Sequence, residues 1–311
     1  MADLKNEFSW SWSRHRAFET CLRRYYLQHY AFWGGWEPGS EAREIYIQKK
    51  LNSRPQWIGT TVHQAAEWVL GQVRRGHYPP PERVVERYER AARRMVDESA
   101  RGLFRIRPKK SPGFVDHYYD LNTPEDAWEA DLQEISRQIR GLFDNRVFLR
   151  LTSVPGRIVE VERLEQLFVG DVPVWVSLDV LVSDGEGGFV VIDWKTGRAH
   201  DAETVVRQLG VYGAYVVQRY LRQDPGRVEA DQLDRVKVMY VNLREETYDT
   251  RDLDLAAMRE TLATIDTSSA RMRELLVDVG ENVAKEADFP MLEEGAEACA
   301  HCAFRRTCGR G

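Results

Sequence analysis

Residues 157–195 alternate with a period of two, and no other feature of the chain narrows its fold as much. The segments RIVEVERLEQLFV, VPVWVSLDVLV and FVVIDWK are rich in valine and isoleucine and are separated by GD and DGEGG turns. Alternation of this kind, punctuated by tight turns, makes three consecutive antiparallel strands. Around them the pattern is helical. Residues 8–30 read as a helix capped by Ser11 or Ser13, with Phe18, Cys21, Leu22, Tyr25 and Tyr26 at helical spacing. Residues 31–58, with Gly34, Gly35, Pro38, Gly39 and Pro55, read mostly as loop. A second helix is expected from near Thr60, with Val62, Ala66, Val69 and Leu70 on one face and His63 and Glu67 one turn apart beside it. Prolines break residues 79–148 into helix-like pieces, and a helix over 201–221, a strand over 236–243 and a long helix over 253–284 complete the order. The class is α/β with a mixed sheet.

A chain of 311 residues with 43% hydrophobic and 11% aromatic residues can bury a core as one large domain or two, and it is not disordered. No apolar run approaches the ~20 residues that cross a bilayer, and MADLKNEFSW lacks the basic-then-apolar order of a secretory signal. The cytoplasm is the expected compartment. A net charge of -5 gives no global support to nucleic-acid binding. Local charge differs: residues 71–110 hold 12 basic and five acidic side chains. Two readings stand for this region, a solvated face with Glu86–Arg90 and Glu89–Arg93 ion pairs or a patch facing phosphates.

The meander carries the chemistry. Along the second strand Trp175, Ser177, Asp179 and Leu181 share one face; along the third Phe189, Val191, Asp193 and Lys195 do. If Ser183 pairs with Phe189 across DGEGG, Asp179 and Asp193 lie equally far from that pair and oppose each other. Directly opposed residues have Cβ atoms ~5 Å apart, where two bare carboxylates repel. A divalent cation relieves that repulsion. Oxygen donors select magnesium or manganese, and Lys195 on the same face suits the charge that develops during phosphodiester hydrolysis. The plainer alternative is that Lys195 only neutralises Asp193.

Four cysteines complete the inventory. Cys299, Cys302 and Cys308 form C-x2-C-x5-C, while Cys21 stands alone near the other end. Clustered thiols in a reducing compartment more often bind metal than form disulfides, and four thiolates suit zinc or an iron-sulfur cluster by number. A zinc ribbon usually brings two local pairs, which this distribution lacks.

Asp179 followed by IDWKTG, with Asp193 and Lys195, resembles the PD-(D/E)XK nuclease superfamily, and D-x-K-T-G is typical of its RecB-like branch. GTTVH, Gly59 to His63, is similar to the branch's G-x-x-x-H helix, and Gln208 with Tyr212 to its Q-x-x-x-Y motif. S-x-S-R at Ser11 to Arg14, then Phe18, Cys21 and the C-terminal triplet, resembles the iron-sulfur nucleases of that branch, which include the AddB nuclease domain and CRISPR adaptation nucleases. Val176 stands where relatives have glycine, Leu22 where they have proline, and Asp193 where many have glutamate. None of these removes a ligand.

The resemblance implies a restriction-endonuclease-like core with a central mixed sheet flanked by helices, forming one domain over 1–311. A basic helical insertion over 72–150 would interrupt it, and an iron-sulfur staple would join 1–30 to 290–311. It implies a DNA nuclease, an exonuclease on ends or single strands, with His63, Asp179 and Asp193 on Mg2+ or Mn2+ and Lys195, Gln208 and Tyr212 completing the catalytic set. Cys21, Cys299, Cys302 and Cys308 would hold a structural 4Fe-4S cluster, and Arg14, Arg16, Arg93 and Arg94 would contact DNA. The sequence has no G-x-x-x-x-G-K-S/T loop, so a helicase motor would come from a partner. The rival reading is a non-catalytic iron-sulfur or zinc protein that binds nucleic acid or a partner on the same fold; intact His63, Asp179, Asp193 and Lys195 weigh against it.

Overall fold

The computed structural model describes residues 5–197 and 202–310. The chain divides into two compact units, one of Met1–Ser53, Arg94–Thr123 and Asp266–Gly311, the other of Arg54–Arg93 and Pro124–Ile265. Residues 72–150, expected as one insertion in a single domain, are thus shared between the two, with 94–123 in the first unit. In chain order the helices before the sheet are α1 (Trp12–Thr20), α2 (Leu22–Tyr26), α3 (Arg43–Lys49), α4 (Arg54–Val73), α5 (Pro81–Ala100), α6 (Leu103–Ile106), α7 (Val115–Tyr118), α8 (Glu125–Asp144) and α9 (Arg146–Ser153). Strands β1 (Ile158–Val169), β2 (Val172–Ser183) and β3 (Phe189–Lys195) follow, then α10 (Ala202–Val216), α11 (Ala230–Leu233), β4 (Val236–Asn242), β5 (Thr247–Asp252) and α12 (Leu255–Glu274). A small hairpin of β6 (Leu276–Asp278) and β7 (Val283–Ala284) and a short α13 (Glu297–Ala300) close the chain.

The second unit is built on a five-stranded sheet ordered β1-β2-β3-β4-β5. Every pairing in it is antiparallel except β3 with β4, so the sheet is mixed and flanked by helices, the architecture of restriction-endonuclease-like folds. The DGEGG turn closes as the sequence requires. Gly185 and Gly187 take left-handed φ angles of 87° and 91°, and Asp184 Oδ1 accepts from the N–H groups of Glu186 and Gly188. The resulting register pairs Ser183 with Phe189 and runs to Val180 with Ile192. One face of β2, with Val174, Val176, Leu178 and Val180, is buried in the core.

Helix α4 begins at Arg54, six residues before the expected start at Thr60. Pro55 lies in its first turn, where a missing N–H costs no intrahelical bond. Arg54 Nε binds Asp131 on α8 at 2.6 Å and fixes the helix start. The expected loop over 31–58 also holds α3. Strand β5, TYDTRD, was hidden from periodicity because an exposed edge strand has no buried face to alternate. The long helix expected over 253–284 stops at Glu274 and gives way to β6 and β7, whose turn contains Gly280 and a left-handed Asn282. Asp201, the expected start of the helix after β3, lies outside the described residues; α10 runs from Ala202 and passes into a π turn over Val217–Leu221.

In the first unit Ile47, Leu51, Phe104 and Tyr118 form one buried cluster. Arg14 lies inside a cage of Phe8, Tyr25 and Tyr30 rings, where it donates to the hydroxyls of Ser9, Tyr25 and Tyr30. Among the described residues no helix is long and apolar enough to cross a membrane. Replacing the fully buried Leu178 by Ala should lower the unfolding free energy by about 2–5 kcal/mol, read from urea denaturation.

Candidate active site

The ladder between β2 and β3 ends just before Asp179, and side chains take over. Asp179 Oδ2 accepts the backbone N–H of Trp194 at 2.7 Å, which aims its other oxygen, Oδ1, at His63 Nδ1, 3.4 Å away. His63 reaches the sheet from α4, one turn after Gly59. A Cβ on Gly59 would lie 2.8 Å from Thr196 Oγ1, so the glycine lets the helix approach the end of β3 at a cost of about 1 kcal/mol of helix propensity. The second partner of the ring is Glu162 on β1, with Oε1 3.2 Å from Nδ1, and not Glu67 one turn along the helix.

Burial works against the imidazolium of His63, but the Asp179 charge and hydrogen bonds to Asp179 and Glu162 outweigh it and push the group up to about 10. Among the described residues His63, Glu162 and Asp179 are the group whose ligand atoms all lie within 4.8 Å of one another. One nitrogen and two carboxylates this close together form a donor set that fits a divalent cation such as Mg2+ or Mn2+.

Asp193 stands beside this set on β3. Burial and then the charge of Asp179 push its carboxyl up, against the pull of Lys195 and His63. Lys195 Nζ lies 2.6 Å from Asp193 Oδ2 and also donates to Gln208 Oε1 at 3.5 Å. From Gln208 the bonds continue: Nε2 donates to Tyr212 Oη at 2.6 Å, and the Tyr212 hydroxyl donates to Asp193 Oδ1 at 3.1 Å. Burial and the two aspartates hold the Tyr212 phenol protonated and therefore able to donate. The four groups close a ring that fixes both the carboxylate and the ammonium. Tyr240 on β4, paired in register with Asp193, puts its ring 5.2 Å from the Lys195 ammonium.

All six side chains expected at the site are brought together, and Glu162 and Tyr240 are additions to them. Glu162 could have been found by mirroring the first hairpin: Val169 pairs with Val172, and Val161–Val180 and Arg163–Leu178 bracket the position that faces Asp179. Its φ of 44° is left-handed, a conformation that costs a non-glycine residue on the order of 1–3 kcal/mol and that collects at functional sites. Tyr240 carried no local signal, since a crossover separates β4 from β3.

The four cysteines form no disulfide and line one pocket of the first unit together with Arg23, Arg24, Arg305 and Arg310. Cys21 Sγ caps α2 by accepting from Arg24 N–H, Cys302 Sγ accepts from Phe304 N–H, and Arg310 Nη1 lies 3.1 Å from Cys299 Sγ. Burial, then neighbouring thiols, raise Cys302 and Cys308. Converging thiols ringed by guanidinium groups fit an anionic metal-thiolate group.

The expected DNA-contacting arginines divide. Arg14 is only 5% exposed, caged by aromatic rings, and offers no face to a phosphate. Arg93 forks onto Glu129 at 2.7 and 2.8 Å and onto Glu89, so its charge is already paired; this is the solvated ion-pair reading of α5. Arg16 and Arg94 are exposed.

Replacing Glu162 by Gln should weaken Mn2+ binding about tenfold or more in calorimetric titration, since one of three convergent donors loses its charge.

No curated protein matches the chain. The sequence model of the PD-(D/E)XK nuclease superfamily matches residues 9–309, a span that takes in His63, Asp179, the Asp193–Lys195 pair and all four cysteines. On that match the chain belongs to the PD-(D/E)XK nuclease superfamily.

Proposed function

We propose that this protein is a metal-dependent DNA nuclease of the RecB-like branch, carrying a structural 4Fe-4S cluster. The observation that carries the hydrolytic reading is the convergence of His63, Glu162 and Asp179 within 4.8 Å, beside an Asp193–Lys195 pair held by Gln208 and Tyr212. Bound Mg2+ or Mn2+ would supply activation of water and neutralisation of charge on the scissile phosphate. The chain's own groups supply the rest. Asp179 is oriented by the Trp194 N–H, and His63 is held by two carboxylates. The Lys195 ammonium, positioned by Asp193 and Gln208, offsets negative charge on a phosphate oxygen presented to the same face of the sheet. Gln208 and Tyr212 act through Lys195 and Asp193.

Replacing Asp179, Asp193 or Lys195 by Ala should lower Mg2+- or Mn2+-dependent cleavage of end-labelled DNA by at least about 10²-fold while circular dichroism stays that of the wild type. A Lys195→Ala protein that cuts at the wild-type rate refutes the mechanism. End-labelled single strands and duplexes in the same assay separate exonuclease from endonuclease action.

The cluster reading rests on four thiols lining one pocket under arginine donors. A zinc ribbon usually brings its ligands as two local pairs, whereas here three thiols come from one short stretch and the fourth, Cys21, from the other end of the chain. Protein purified without oxygen should be brown, absorb near ~400 nm and contain iron. Cys21→Ala should lose that iron and melt at lower temperature. Stoichiometric zinc without iron would overturn the cluster and leave the nuclease reading standing, because the two sites use separate residues.

A further inference from the structure

The β1–β2 hairpin continues past the metal-ligand set as a ladder of exposed, uncharged side chains. Trp175 and Ser177 lie on the side of β2 that carries Asp179, four and two residues before it. On β1, Leu164 pairs with Ser177, Gln166 with Trp175 and Phe168 with Pro173. Opposed Cβ atoms are ~5 Å apart, so the six side chains make one continuous strip. Trp175 is 40% exposed, Phe168 51% and Leu164 64%. The opposite side of the same strands, Leu167, Val174, Val176 and Leu178, is already buried, so the core does not need these three on the outside. The end of the strip is held firmly: Phe168 N–H donates to Gln218 Oε1 and its C=O accepts from Gln218 Nε2, both at 2.9 Å.

We propose that this strip is a base-stacking platform that holds single-stranded DNA as it leaves the cleavage site. The inference rests on the nuclease reading above and gives it a substrate class. Trp175 is separated from Asp179 by ~13 Å of strand, at about 3.3 Å per residue, which places its ring among the nucleotides next to the scissile phosphate. None of the six side chains carries a negative charge that would repel the backbone. Aromatic rings stack on any base, so the platform tolerates sequence. It works only on bases whose faces are free, which a duplex keeps inside its own stack. Continuity with the carboxylate site, in register along the same two strands, favours DNA over a protein partner as the occupant.

Fluorescence anisotropy of labelled oligo(dT) and of a labelled blunt duplex, measured in EDTA so that no cleavage occurs, tests the platform. Trp175→Ala should weaken single-strand binding about tenfold or more and duplex binding by no more than about twofold, while Trp175→Phe keeps single-strand affinity within about twofold. Phe168→Ala, on the other strand, should show the same selective loss. Both positions are exposed, and the thermal melts should match the wild type. Single-strand affinity unchanged in both alanine variants overturns the platform and assigns the strip to a protein surface. Equal losses for single strand and duplex also overturn it. A wild-type protein that cuts no DNA with Mg2+ or Mn2+ fails the nuclease reading instead, and the platform with it.

Discussion

Three carboxylates, Glu162, Asp179 and Asp193, stand at one point of the sheet, and balancing their charge is the constraint that the surrounding elements meet. Each neighbouring element delivers one or two positive or donating groups there. Helix α4 brings His63, β3 brings Lys195 and the Trp194 N–H, and α10 brings Gln208 and the Tyr212 hydroxyl. Remove the acids and this arrangement has no purpose: a glycine in mid-helix, a left-handed glutamate in a strand and a buried lysine-aspartate contact all lower stability on their own. A site that costs stability in this way is one whose chemistry lies outside folding.

What was legible in the sequence follows from how far each signal reaches. The start of the β2–β3 hairpin was legible, because a five-residue turn with two left-handed glycines fixes the register from Ser183–Phe189 to Val180–Ile192, one step short of the expected Asp179–Asp193 pair. Asp179, Asp193 and Lys195 came with it. His63, Gln208 and Tyr212 were legible only through motif spacing, since helices α4 and α10 meet the sheet by packing that no local pattern encodes. Glu162 lay within reach of the same hairpin logic. Its neighbour Glu160 on the same strand goes elsewhere, accepting from Tyr215 and Tyr220 in the core. Composition alone does not tell two such glutamates apart.

Charge was the least reliable guide. A count of basic residues over 71–110 left a solvated ion-pair face and a phosphate-facing patch both open; Arg93 pairs with Glu89, as the first reading has it, and also with Glu129, which lies outside the counted window. Arg14 drew attention as part of S-x-S-R and turns out to serve packing, its guanidinium satisfied by three hydroxyls and three rings. Conversely, the helix start at Arg54 and the edge strand β5 went unread because one carries Pro55, usually taken as a breaker, in its first turn and the other is a polar segment.

The first unit is assembled from three separated stretches of chain, and its cysteine pocket needs both Cys21 and residues after 298. On a ribosome the amino-terminal stretch therefore emerges long before its partners, whereas every residue of the second unit is made before Asp266. The second unit is the one able to condense first, while Cys21 waits for the last segment before its pocket can close. Completion of that pocket is accordingly a late event in the protein's biogenesis, and a chain stalled or cut before residue 299 would keep His63, Glu162, Asp179, Asp193 and Lys195 while lacking three of the four thiols.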